Sequence, residues 1–208
     1  MTAATVAAPA PLARTTSPSV RTVALPLGIG GLLLAAGGQL HPHETKATVH
    51  DTLEHYLTSS VWDLSHLLSL AGILVAVVGL VLARRSQTFG PKVQAALSVA
   101  IWCWGLAAIE LVPHVLARRD LDALRAEGST PILDLHLLLA VFATPLFGLA
   151  AVALAIAVAR SARTKPAWAL AVLATIGGLA YAAAGPQIRF VGNVDLSVLF
   201  AGQAPIAI

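Results

Sequence analysis

The sequence predicts an all-α integral membrane protein, a five-helix transmembrane bundle with its N-terminus in the cytoplasm. Three observations carry this expectation. The 208 residues are 57% hydrophobic and only 11% charged, against roughly 25% charged residues in an ordinary soluble domain. The mean hydropathy is +0.81, the reverse of the low hydrophobicity and high charge that keep a chain disordered. The apolar residues also come in long runs of Leu, Ala and Val rather than in alternation, which excludes a membrane β-barrel.

A spanning helix needs about 20 mostly apolar residues at 1.5 Å rise each. Five stretches meet that length: residues 23–40, 61–83, 93–117, 132–159 and 167–184. Ahead of them, residues 1–22 form a low-complexity Ala/Thr/Pro/Ser leader with Pro9, Pro11 and Pro18, expected to be disordered. That leader is long for a cleaved signal peptide, so the first span is expected to be retained. Residues 185–208 form an external loop and an apolar tail too short to cross, expected to be interfacial or re-entrant.

Charge sets the orientation. With the N-terminus inside, the cytoplasmic segments hold Arg14, Arg21, Arg84, Arg85, Lys92, Arg160, Arg163 and Lys165 and no acid. The opposite side holds the other five basic residues, all ten acids and all seven histidines. Eight basic residues against five favours the N-terminus inside. The expected location is the plasma membrane, as a multi-pass protein with the lipid bilayer as its first partner. Topology also accounts for the pI near 9.5, so no nucleic-acid partner is expected. The single cysteine, Cys103, permits no intramolecular disulfide and no Cys-based zinc or iron–sulfur site.

Histidine is where the sequence becomes specific. His41-Pro42-His43-Glu44 follows the first span, and His50, Asp51, Glu54 and His55 follow in a short amphipathic segment. Trp62, Asp63 and His66 open the second span, Glu110, Pro113 and His114 close the third, and Asp134 and His136 begin the fourth. Each span thus delivers ionisable groups at its external end. Asp63 and His66 are i, i+3 and Glu110 and His114 are i, i+4, so each pair shares a helix face. Glu110 lies about seven residues, roughly 10 Å, inside its helix end. A carboxylate at that depth is costly unless paired, protonated or facing a wet cavity, and so marks a functional site.

The chemistry this suggests is a ligand cage. Imidazoles of His66, His114, His136 and His41, with the Glu110 carboxylate, suit zinc, iron or copper. Asp63 and Asp134 are the candidates for carboxylates that hydrogen-bond the far nitrogen of a ligand ring. Axial haem ligation is a second use of the same residues, with His66 and His114 best matched in depth. The alternative is purely structural: His and Trp rest comfortably at a membrane interface, and helix-end carboxylates pair with neighbouring Arg or His. His43, His50 and His55 fit that description best, being in water. Pro113 and Pro145 are expected to interrupt the third and fourth spans. Gly72, Ala76, Gly79, Gly177 and Gly178 read first as close helix packing within one subunit, and second as contacts with a homo-oligomer or partner membrane subunit.

Leu40-His41-Pro42, Trp62 to His66, Glu110-Leu111-Val112-Pro113-His114 and Thr130-Pro131 to His136 together resemble a group of small actinobacterial multi-pass membrane proteins. The likeness covers roughly residues 23–202, with Glu-x-x-Pro-His its most distinctive element. It implies a topology and no activity, and it sets the apolar tail beside a sixth span found in that group. Two functions stay open on the sequence. One is a metal- or haem-dependent membrane protein, in its enzymatic form an oxidoreductase. The other is a non-enzymatic component: a sensor, an assembly partner or a transporter subunit. A relay crossing the whole bilayer is disfavoured, since the cytoplasmic half carries no acid or histidine.

Overall fold

The computed structural model describes residues 20–190; the expectations for residues 1–19 and for the tail from 191 lie outside the described residues. Five long helices carry the fold: α1 (Val20–Leu40), α3 (Trp62–Ser86), α4 (Gln94–Leu116), α6 (Pro131–Ala162) and α7 (Lys165–Phe190). Two short ones, α2 (Val49–Thr58) and α5 (Leu121–Arg125), sit in the connections at one end. The long helices, α4 together with its flanking turns, are long and apolar enough to cross a membrane, and the described chain is an all-α transmembrane bundle. Residues 20–22, at the end of the expected leader, are already helical, and α7 runs six residues beyond position 184.

Successive long helices run antiparallel and pack in the spatial row α1–α3–α4–α6–α7. Two seams of small residues set the closest approaches. A Cβ on Gly30 would strike Ala76 and Gly72, and one on Gly79 would strike Leu27, so α1 and α3 touch backbone to backbone. Gly148 on α6 faces Gly178 and Ala182 on α7 in the same way. The small residues therefore serve packing within the chain, as membrane helices without a hydrophobic drive between them require. Between the seams, Trp104 stacks on Phe147 with ring centroids 4.5 Å apart, and Phe147 in turn meets Tyr181 at 4.8 Å.

Outward, the bundle is apolar. Leu74, Val78, Ile109, Phe142, Val172 and Ile176 are each more than half exposed, and Trp102 is 80% exposed. A contiguous apolar coat of this kind suits lipid and would aggregate in water. The spans run without a break through Pro113 and Pro145, as α1 and α7 do through Pro26 and Pro186. The prolines thus do not end the helices, since in a bundle neighbouring helices and local adjustments satisfy the backbone groups a proline frees.

One end carries Arg84, Arg85, Lys92, Arg160, Arg163 and Lys165; the other carries the seven histidines. At the histidine end α4 continues through a tight turn, Ala117–Asp120, into α5. The turn's last residue does local work. Asp120 is buried, and its Oδ2 accepts from the backbone N–H groups of Ile132 (2.7 Å) and Leu133 (2.9 Å). A carboxylate from the preceding connection thus satisfies two of the orphan donors at the start of α6, next to Pro131 at its first turn. This fixes the height of α6 against α4, and with it the height of His136 against Glu110.

Candidate metal centre

Five polar side chains from four segments meet at the histidine end. His41 comes from the residue after α1, His66 from the first turns of α3, Glu110 and His114 from the last turns of α4, and His136 from the start of α6. Their rings form a chain: His41 meets His66 edge-on at 4.8 Å between centroids, His66 meets His114 tilted at 4.2 Å, and His114 stacks on His136 at 3.7 Å. His66 and Glu110 are each 2% exposed. One ligand atom each from His41, His66 and His114 lies within 4.8 Å of the others, and the same holds for Glu110, His114 and His136. The two triads share His114.

Hydrogen bonds decide which ring nitrogens hold lone pairs. His66 Nδ1 lies 2.6 Å from the carbonyl oxygen of Trp62, which can only accept, so Nδ1 carries the proton. Its Nε2 is then a lone pair, and it is buried with no hydrogen-bond partner. His41 Nδ1 is 2.6 Å from the Pro42 carbonyl and donates in the same way. His136 Nδ1 donates to Glu110 Oε1 at 2.5 Å. His114 Nδ1 lies 3.5 Å from that same oxygen and is buried without a hydrogen bond. A backbone carbonyl or carboxylate on the far nitrogen is the usual arrangement for a metal-ligating histidine, because it locks the tautomer and the ring orientation.

Burial suits the ligand form of His41. Enclosure by protein, reinforced by the His66 ring beside it, holds its imidazole well below the usual histidine range. It is therefore neutral at neutral pH, as a ligand must be. On the exposed rim the pattern is ordinary. Lys46, 2.6 Å away, lowers the Glu44 carboxyl, and His55 lies 3.4 Å from the same side chain. His43 and His50 are exposed and outside both triads, and His43 Nδ1 lies 2.6 Å from the His41 carbonyl oxygen.

The expected supporting acids do not join the site. Asp63 is exposed and pairs with Arg118 at 3.0 Å, drawn outward by a guanidinium 55 residues away in sequence. Asp134 is exposed in the first turn of α6, where it complements the helix dipole instead. Their place is taken by Glu110 and by backbone carbonyls.

A cavity of about 150 Å³ adjoins the cluster. All four clustered histidines and Glu110 line it, and α2 contributes Thr52, Leu53, Tyr56 and Leu57 to its wall. Those four follow i, i+1, i+4, i+5, the inward stripe of an amphipathic helix. Tyr56 and Leu57 are buried with Trp62, Ala117, Leu124 and Leu133, and Glu54 on the same helix reaches Arg125 of α5 at 2.8 Å. The amphipathic pattern marks α2 as a helix in advance; it does not reveal that the helix walls the site. Trp62, whose sequence position fits either interfacial anchoring or packing, packs: it is 3% exposed and lies with its ring 4.0 Å from that of His66.

Haem does not fit. Axial ligands hold a porphyrin between them, and rings 4.2 Å apart, as His66 and His114 are, are already close to van der Waals contact. The cavity is also smaller than the roughly 300–1,000 Å³ typical even of drug-sized ligands. A bare metal ion fits the donor set. The chain matches no family model, no curated protein and no solved structure.

Proposed function

We propose that this chain is a metal-binding protein of the plasma membrane, holding one transition-metal ion in the outward-facing half of its bundle. His41, His66 and His114 supply the ligand nitrogens. Glu110 and His136 stand behind them as a hydrogen-bonded pair whose carboxylate faces His114. The observation that carries this reading is the His66 ring, with Nδ1–H engaged and a buried Nε2 lone pair facing no donor. A purely structural polar layer would satisfy that atom, since a buried polar group without a partner costs about 1–3 kcal/mol. Imidazole nitrogens with a nearby carboxylate suit zinc, copper and iron alike. With copper or iron the centre would act as a membrane oxidoreductase.

Glu110→Gln separates a supporting carboxylate from a direct ligand. In the supporting role its loss weakens metal affinity about 10- to 100-fold without abolishing it. Equilibrium dialysis of the detergent-purified variant measures this, and complete loss of binding would make Glu110 a ligand.

The outward orientation has its own test. Reporter fusions after Ser86 and after Thr164 are expected to read cytoplasm, and a fusion after Thr48 the outside, following the basic residues. The opposite pattern would turn the metal centre toward the cytoplasm.

A further inference from the structure

A metal ion alone leaves three things at this site unbalanced. The first is a donor. Trp62 lines the cavity, its ring 4.0 Å from that of His66 and 5.4 Å from that of His114, and its indole Nε1 is buried without a partner. Indole N–H only donates. A cation cannot accept that hydrogen bond, so loading the site satisfies His66 and leaves Trp62 as it was.

The second is charge. Glu110 is the only acid among the described residues lining the cavity, and Glu54 on α2 is engaged by Arg125. A divalent ion with neutral imidazoles and one carboxylate carries a net charge of +1, which is costly inside a helix bundle in lipid. The third is space. A cavity near 150 Å³ accepts a molecule the size of benzene, far more than an ion fills.

One object answers all three. On the reading that the cluster holds a divalent metal, we propose that the centre binds one small monoanion, seated between the ion and the indole N–H of Trp62. Its lone pair takes the coordination position left by three histidines, its charge brings the site to neutrality, and it accepts from Trp62. Metal sites that act on exogenous ligands keep such a position, whereas structural sites are closed by four protein ligands. The lining also includes the apolar Leu137, Ala140, Ala184 and Ile188, beside Thr144 and Tyr181. The site therefore favours a singly charged anion, including one with a short apolar body, over a strongly hydrated dianion.

The test uses the full chain in detergent, loaded with cobalt(II), whose visible absorption reports its coordination. Azide is expected to change that spectrum saturably at one per metal, and sulfate is expected to leave it unchanged. Trp62→Phe is expected to keep its cobalt and bind azide about 10-fold more weakly, the loss of one hydrogen bond to a charged acceptor. Bound cobalt indifferent to azide would overturn the anion position while leaving the metal reading intact. Azide binding to Trp62→Phe with unchanged affinity, or sulfate binding as well as azide, would overturn the assigned seat. Failure to bind cobalt at all would overturn both readings. The wild-type titrations decide the anion position even if Trp62→Phe does not fold.

Discussion

Replacing His66 or His114 with alanine is expected to strip the metal from the purified protein, while His50→Ala keeps it. His114 should show the larger effect, because it belongs to both triads and its ring lies between those of His66 and His136. Removing it takes away a ligand and also the contact through which Glu110 reaches the centre. The loss should exceed the 10- to 100-fold expected of a supporting residue. His50 is exposed on α2 and belongs to neither ligand triad, so its substitution leaves metal content unchanged. Metal analysis after dialysis, with a thermal melt of each variant beside it, separates ligand loss from unfolding. Full metal retention in both His66→Ala and His114→Ala would remove the basis of the centre.

Gly148→Val is expected to be the most damaging single change away from the site. The new side chain would run into the backbone of Gly178 and Ala182, which cannot rotate aside as a flexible side chain can. Overpacking of this kind costs about 1–3 kcal/mol and occasionally more. For a chain of this size that is a fall of roughly 2–12 °C in melting temperature. Gly105 provides the control, since nothing lies within 4 Å of its Cβ position. Gly105→Ala should hold or slightly raise the melting temperature, because Ala is the better helix former. The metal ligands sit on α3, α4 and the end of α1, away from this seam. Gly148→Val should therefore bind metal below its lowered transition.

The spans were legible in the sequence because a single property, sustained apolarity over about 20 residues, decides them. The small-residue seams were legible too: Gly72, Ala76 and Gly79 recur on one helical face, and Gly30 and Leu27 are what they meet. The core of the site followed from depth and helical spacing, which bring Glu110 and His114 onto one stripe. What sequence could not supply was partnership between distant segments. Asp63 shares a face with His66, yet Arg118 across the connection competes for it and wins, as solvent-facing charges do when one opposite charge is near. Asp120 gave no local signal, because the helix it caps begins eleven residues later. For Trp62 the sequence left anchoring and packing open, because an aromatic at a span end does either. Only the packing of α2 over α3 shows it buried beside the histidines.

The central claim is that three imidazoles of this cluster hold one metal ion. X-ray absorption at the metal edge, on detergent-purified protein carrying the metal it retains after dialysis, tests this most directly. The expected result is one ion per chain with imidazole nitrogens at about 2.0–2.1 Å, the zinc–histidine distance. A substoichiometric ion, or a shell of oxygens with no imidazole signature, would contradict it and leave the histidine cluster a structural layer.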